Sequence, residues 1–295
     1  MPSRKPTPGK RFGGDGYGLT VTGLDPRQAA LLQAWLPGAE HVADLSWGIV
    51  GTTVLRMRHE GRDVVVKAGD AADRHIAREL RAHREWLGPW HGSAPELLHG
   101  DADAKLLVTG YLPGELVEGR PEETDPGTYR QAGRLLARLH EQACTVDHGY
   151  ERRMRERSLG HLDSSHRIDP ELTARLRAEV ASWRDEPATL VPTHGDWQPR
   201  NWLVHDGVVA VIDLGRADLR PAHTDLCRLE VQQFRGRPDL DAAFVDGYGR
   251  DPRTQPGWRR ELLREAIATA VWAFRVGDEA FERQGHRMIT DALGG

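Results

Sequence analysis

Lysine is scarce in this chain. Of its 40 basic residues only four are lysine, at Lys5, Lys10, Lys67 and Lys105; the rest are arginine. Cysteine is scarcer still. Cys144 and Cys227 are the two present, too few for a disulfide framework and without the spacing of a metal site. The 14 histidines do not supply zinc-like pairs with them. No apolar run approaches the roughly 18 residues that a membrane-spanning helix needs, and no internal repeat is visible. The N-terminus lacks an apolar leader, so a cytoplasmic location is expected.

What is present describes a soluble globular protein. At 295 residues, 39% hydrophobic and 28% charged, the chain can bury the cores of two lobes. Its net charge is −4 even though Arg4, Lys5, Lys10 and Arg11 crowd the N-terminal end. The remainder is therefore mildly acidic, which disfavours nucleic acid as a partner and suits a small, cationic one. No obligate protein partner is indicated. Residues 1–18, rich in Pro, Gly and basic side chains, are expected to form a disordered tail.

The punctuation predicts a mixed α+β chain. Asp25-Pro26, Asp125-Pro126 and Asp169-Pro170 each place a capping Asp before a Pro at the first helical position, ahead of an amphipathic stretch. Strands are expected near 42–47, 52–58, 62–68, 95–99 and 105–110, with Glu60-Gly61 turning the second into the third. A helix is expected from Asp73 to Gly88. Beyond Pro113-Gly114 the pattern becomes mainly helical. The exception is a pair of apolar strands, Asn201–Val204 and Val208–Ile212, which flank the hairpin turn at Asp206-Gly207.

That hairpin carries the most informative residues. His194-Gly195-Asp196-Trp197-Gln198-Pro199-Arg200-Asn201 precedes it and Val211-Ile212-Asp213 closes it, so Asn201 and Asp213 return to the same end. A carboxylate that orients an alcohol, followed by an amide and a second carboxylate able to hold Mg²⁺, are the parts phosphoryl transfer requires. Upstream, the apolar Val64-Val65-Val66 strand ends in Lys67. In a chain that uses arginine for surface charge, a lysine there suggests a point charge for phosphate.

HGDWQPRN, VID and the later Asp225-Leu226 resemble the catalytic segment of the aminoglycoside phosphotransferase and choline kinase family, which is related to protein kinases. The resemblance spans residues 40–230 and implies a bilobal protein-kinase-like fold. Residues 19–110 would form a nucleotide-binding lobe with an antiparallel sheet, 111–114 a hinge, and 115–295 a mostly helical catalytic and acceptor-binding lobe. It implies Asp196 as catalytic base, Asn201 and Asp213 as Mg²⁺ ligands, and His194 and Asp225 as supports of the catalytic loop. Lys67 would hold nucleotide phosphates and pair with Glu79, with Glu85, almost two turns further along the helix, as the runner-up. Ser46, Gly48, Gly51 and Thr52 would form a glycine loop over them, although Gly-x-x-Gly falls short of the fuller glycine-rich fingerprint. Gly110 and Leu112 would present a carbonyl and an N–H to the purine of ATP or GTP. His140 would be a packing residue at the end of the first large-lobe helix.

The implied reaction moves the γ-phosphate to a hydroxyl of a small molecule. An aminoglycoside-type antibiotic is the first expectation, because Asp213-Leu214-Gly215-Arg216 resembles the aminoglycoside 3′-phosphotransferases. An amino alcohol, sugar or metabolite kinase, and a non-catalytic binder of nucleotide or drug, are the alternatives. Arg216 is either a stabiliser of phosphoryl charge or an ion-pair partner of Asp218 or Asp225. Trp197 is either a flat wall for a sugar ring or a packing residue; Trp258 and Trp272 are expected in helix cores. Glu261 with Glu265, the group Asp278, Glu279 and Glu282, and the run from Glu115 to Asp125 are candidate acidic faces, solvated by default. The chain ends in Gly294-Gly295 and so departs from the ordered terminus of the aminoglycoside 3′ enzymes.

Overall fold

The computed structural model describes residues 23–46, 51–255 and 257–294. The expected tail 1–18 and the glycine-loop residue Gly48 lie outside them. The N-terminal part opens with α1 (Pro26–Trp35), where Asp25 caps the helix and forms a reciprocal capping box with Gln28. A five-stranded antiparallel sheet follows: β1 (Glu40–Asp44), β2 (Thr52–His59), β3 (Arg62–Gly69), β4 (Leu97–Asp101) and β5 (Leu106–Gly110), in the order β1-β2-β3-β5-β4. The helix α2 (His75–Glu85) intervenes between β3 and β4. It is shorter than the Asp73–Gly88 stretch expected.

Strand alternation decides what each face of this sheet does. Leu55, Met57, Val64, Val66, Ala68, Leu106 and Val108 point to one face and bury against Leu32 of α1 and Leu36 just after it. Leu107 points to the other and packs with Ile76 and Leu80 of α2. Lys67 pairs in register with Leu107, so the pleat aims it at α2.

The C-terminal part contains β6 (Glu115–Leu116), α3 (Pro126–His140), β7 (Thr145–Asp147), α4 (Tyr150–Asp163), α5 (Pro170–Ser182), β8 (Ala188–Thr193), β9 (Trp202–His205), β10 (Val208–Val211), β11 (Asp218–Arg220), α6 (Cys227–Val231), α7 (Pro238–Tyr248), α8 (Trp258–Val276) and α9 (Glu279–Gly294). Its strands form two small antiparallel sheets, β10-β9-β6 and β11-β8-β7. The sequence predicts only the β9–β10 hairpin among them. Its turn residues Asp206 and Gly207 take φ 48° and 73°, as a two-residue hairpin turn demands. β8 escapes sequence reading because Pro192 interrupts it. β7 pairs only with Ala188–Leu190, and Pro192 faces Leu219 of β11 beyond that pairing, where a missing N–H is tolerated.

The main core joins the two parts. Trp86 and Trp90, from the segment after α2, pack with Tyr129, Leu136, Trp197, Trp202 and Phe244. A second core fills the space among α4, α5, α8 and α9 with Leu162, Leu176, Trp183, Ile267, Val271 and Ile289. Trp258 packs against the main core. Trp272, expected in a core, is instead 47% exposed; its helix turns that position outward, where it meets Phe281 edge-on at 5.8 Å. Among the described residues no helix is long and apolar enough to cross a membrane.

Candidate active site

The turn between β8 and β9 holds the HGD segment, and Asp225 fixes it from below. One Asp225 oxygen accepts the Gly195 N–H at 2.6 Å; the other accepts the His194 N–H at 2.8 Å and faces His140 Nε2 at 3.1 Å. Burial alone would raise the Asp225 carboxyl, but the His140 hydrogen bond and charge, His194, and the Gly195 N–H outweigh it and hold it below its ordinary value. His140 is buried and also bonds the Tyr248 hydroxyl at 2.7 Å, so it packs and braces together. His194 has its Nδ1 facing the Asp196 N–H and its Nε2 3.1 Å from the Ile212 carbonyl. The HGD turn is thereby tied to the residue before Asp213. Gly195 has φ 79°, and a Cβ there would meet the Arg216 carbonyl at 2.4 Å, so only glycine fits.

Asp196 is almost fully buried and surrounded by donors. Arg200 reaches one oxygen at 2.7 Å; Arg228 and the Gln198 amide reach the other. The Asn201 amide nitrogen bonds the Asp196 carbonyl at 2.7 Å and its carboxylate at 3.1 Å. Burial would raise this carboxyl, but Arg228 and Arg200 override it and keep it far below the usual carboxylate range. Arg200 and Arg228 were not singled out from the sequence. Arg200 lies inside the motif and could have been; Arg228, on α6, carries no local signal.

Lys67 links the two parts of the chain. Its Nζ lies 2.8 and 3.0 Å from the two Glu79 oxygens and 3.3 Å from Asp213 Oδ1. Burial opposes the lysine charge, but Glu79 and Asp213 outweigh it and push the ammonium above its ordinary value. Lys67 in turn holds the Asp213 carboxyl below its ordinary value. Asp213 has φ 64° outside any hairpin turn, a conformation non-glycine residues adopt at a cost and often at functional sites.

The segments expected to form a glycine loop and a hinge are less uniform. Ser46 has its N–H bonded to Asp44 and its hydroxyl engaged with the Val54 backbone, so both groups are committed within the loop. Gly51 has φ 103° and its carbonyl accepts the Asp70 N–H at 2.8 Å. Thr52 begins β2 opposite Gly69. The Gly110 N–H bonds the Glu96 carbonyl at 2.8 Å. Leu112 N–H makes no hydrogen bond among the described residues. Trp197 is buried against Trp90, His194 and Trp202, which rules out the sugar-wall role. Arg216 pairs with neither expected carboxylate: Asp218 binds Arg81 at 2.7 Å, and Asp225 is occupied as described. Glu261 and Glu265 are likewise paired, with Arg264 and Arg228. Glu282 is buried against Arg167, so it is no solvated face.

The fit for Mg²⁺ can be judged from the donors. Asn201 spends its amide nitrogen on Asp196, and Asp213 Oδ2 has no hydrogen-bond partner among the described residues. The Asn201 amide oxygen and Asp213 Oδ2 are thus the two hard oxygens left for Mg²⁺, as few as it needs beside nucleotide phosphates and water. No group of three or more His, Cys, Asp or Glu among the described residues could form an all-protein cage.

A small antiparallel sheet with a lysine–glutamate pair, joined to a larger part carrying the HGD turn, defines a kinase-like phosphotransferase. Residues 41–263 match the model of the APH phosphotransferase enzyme family, and the chain belongs to that family. No curated protein matches significantly by sequence. The fold is similar to aminoglycoside phosphotransferase APH(4)-Ia in its ternary complex with ADP and hygromycin B. The TM-score is 0.66 at 14% identity, over 90% of this chain and 97% of that one. Macrolide 2′-phosphotransferase MphH from Brachybacterium faecium has TM-score 0.59 at 19% identity, over 88% and 95% of the two chains. Choline kinase LicA from Streptococcus pneumoniae has TM-score 0.63 at 11% identity, over 90% and 96%. The chain is thus a phosphotransferase of that family.

Proposed function

We propose that the protein transfers the γ-phosphate of ATP or GTP, with Mg²⁺, to a hydroxyl of a small molecule in the cytoplasm. The observation that carries this reading is the position of Lys67, which bridges Glu79 of α2 and Asp213 at the end of the β9–β10 hairpin. A lysine held between the two parts is placed to grip phosphate. In this reading residues 19–110 form the nucleotide lobe, 111–114 the hinge and 115–295 the catalytic lobe. Gly48, Gly51 and Thr52 cover the phosphates, and Ser46 shapes their loop. The Gly110 carbonyl and Leu112 N–H receive the base. Asn201 and Asp213 hold Mg²⁺, which when bound neutralises phosphate charge.

Asp196, kept ionised by Arg200 and Arg228, is a weak base. Its work is to accept a hydrogen bond from the acceptor hydroxyl, orient it, and take the proton as the oxygen–phosphorus bond forms. A loose phosphoryl-transfer transition state asks for little more. Arg216, without a carboxylate partner among the described residues, offers charge to the moving phosphoryl group. Of the expected acceptors, an aminoglycoside is supported by the hygromycin B complex of the similar structure. The metabolite alternative is supported by the charge of the acceptor cleft, taken up below.

The test is ADP and GDP release across aminoglycosides, amino alcohols, sugars and hydroxy acids. Acceptor-dependent release should disappear with Asp213→Ala and with metal chelation. It should fall by about 10²–10⁴ with Asp196→Asn. Near-normal release by Asp213→Ala would sink the assignment.

A further inference from the structure

Beside Asp196 lies a cleft of about 850 Å³, bordered by α2, β7, α4, β11 and α8. That volume suits a small ligand. Gly195, Arg216 and Arg228 line it, whereas Lys67, Asn201 and Asp213 do not, so it lies on the acceptor side of the catalytic turn. Each of its carboxylates has an arginine partner, although Arg228 is shared with Asp196 and Arg264 with Glu151. Asp147 pairs with Arg153, Asp218 with Arg81, Glu261 with Arg264 and Glu265 with Arg228. Four of its arginines have no carboxylate partner among the described residues: Arg78 on α2, Arg157 on α4, Arg216, and Arg220 on β11. Arg220 is held by the Thr193 hydroxyl and the Arg216 carbonyl, each at 2.9 Å, which orients its charge without cancelling it.

Resting on the phosphotransferase reading, we infer that the acceptor is an anionic alcohol, a hydroxyl compound bearing a carboxylate or a phosphate, held by Arg78, Arg157 and Arg220 with its hydroxyl toward the end of the cleft where Gly195 and Arg228 adjoin Asp196. A polycation would find no free carboxylate here and would meet unpaired guanidinium groups. An anion gains charge-assisted, bidentate contacts from them. The hydroxyl transfer itself is unchanged: the acceptor oxygen bonds phosphorus, the bond to the nucleoside diphosphate breaks, and the hydroxyl proton passes to Asp196.

The experiment measures ADP release with Mg·ATP, and calorimetric binding in the presence of ADP, for three acceptor sets. These are hydroxycarboxylates with sugar phosphates, neutral sugars, and hygromycin B with choline. Expected is turnover of an anionic alcohol. Its KM should rise about tenfold in Arg157→Gln with kcat within about twofold, the loss of one charge-assisted contact at about 1.4 kcal/mol per decade. Arg157 is exposed and unpartnered, so this variant folds as the parent does; Arg78→Gln is the second probe. The hydroxycarboxylate and sugar phosphate arms tell which anion is read. Turnover of hygromycin B, choline or neutral sugars alone would overturn the inference and leave the phosphotransferase reading standing. So would anion turnover unmoved by both variants, or no anion binding at all. Anion binding that weakens tenfold in Arg157→Gln, but without turnover in the parent, upholds the charge preference and removes the phosphotransferase reading.

Discussion

Asp213 and Asp225 do different work with the same side chain. Asp213 is about half exposed and shares Lys67 with Glu79, whereas Asp225 is buried and spends both oxygens on the catalytic turn. Asp225→Ala should therefore cost stability as well as activity. Two N–H groups and the His140 ring would lose a buried partner, worth roughly 3–5 kcal/mol for a buried, charge-assisted set. Chemical denaturation checks this; loss of turnover with unchanged stability would contradict it. Asp213→Ala should instead leave the denaturation midpoint nearly unmoved. The Lys67–Glu79 pair was legible in the sequence, because a lysine ending an apolar strand and a glutamate in the next helix follow local rules. The Arg200–Asp196–Arg228 cluster was not, since Arg228 comes from α6 and only the fold brings it to Asp196.

At the scale of elements, the close packing of α3 on α7 depends on two glycines. A Cβ on Gly133 of α3 would lie 2.3 Å from the Phe244 carbonyl of α7, and one on Gly247 of α7 would lie 2.0 Å from the Arg130 carbonyl of α3. Each opposing atom is backbone and cannot swing aside. Gly133→Ala should thus destabilise by roughly 1–3 kcal/mol or more, as overpacking does, despite alanine's better helix propensity. A thermal midpoint equal to or above the parent's would refute this. The three Asp-Pro helix starts and the Glu60-Gly61 and Asp206-Gly207 turns were legible, because caps and tight turns are encoded by adjacent residues. β6, β7, β8 and β11 were not. They are two to six residues long and draw their pairing from partners distant in sequence.

For the whole molecule, stability should fall in mild acid. His223 is buried with an unpartnered ring nitrogen, and burial with the nearby Arg264 pulls its value down to about 4. Burial and Lys67 bring His83 down to about 4 as well. Both are neutral in the fold, whereas in the unfolded chain they take a proton below about 6.5. Their contribution is therefore intact above pH ~6.5 and is lost as pH falls from there toward about 4. It reaches on the order of 3 kcal/mol for His223. Melting temperatures measured from pH 8 to 4 should show this slope, and His223→Gln should flatten it; an unchanged slope would assign the effect elsewhere. The sequence by itself determined the α+β class, the phosphotransferase family, the order of the motifs and the helix caps, because each rests on neighbouring residues or on a spacing within one hairpin. Only the tertiary structure decided that Trp197 is core, that Asp196 is flanked by Arg200 and Arg228, and that the cleft beside Gly195 keeps arginine charge after its carboxylates are paired. A charge count along the chain cannot say which ions neutralise one another; that depends on distances fixed by packing α2, α4, α6 and α8 around one turn.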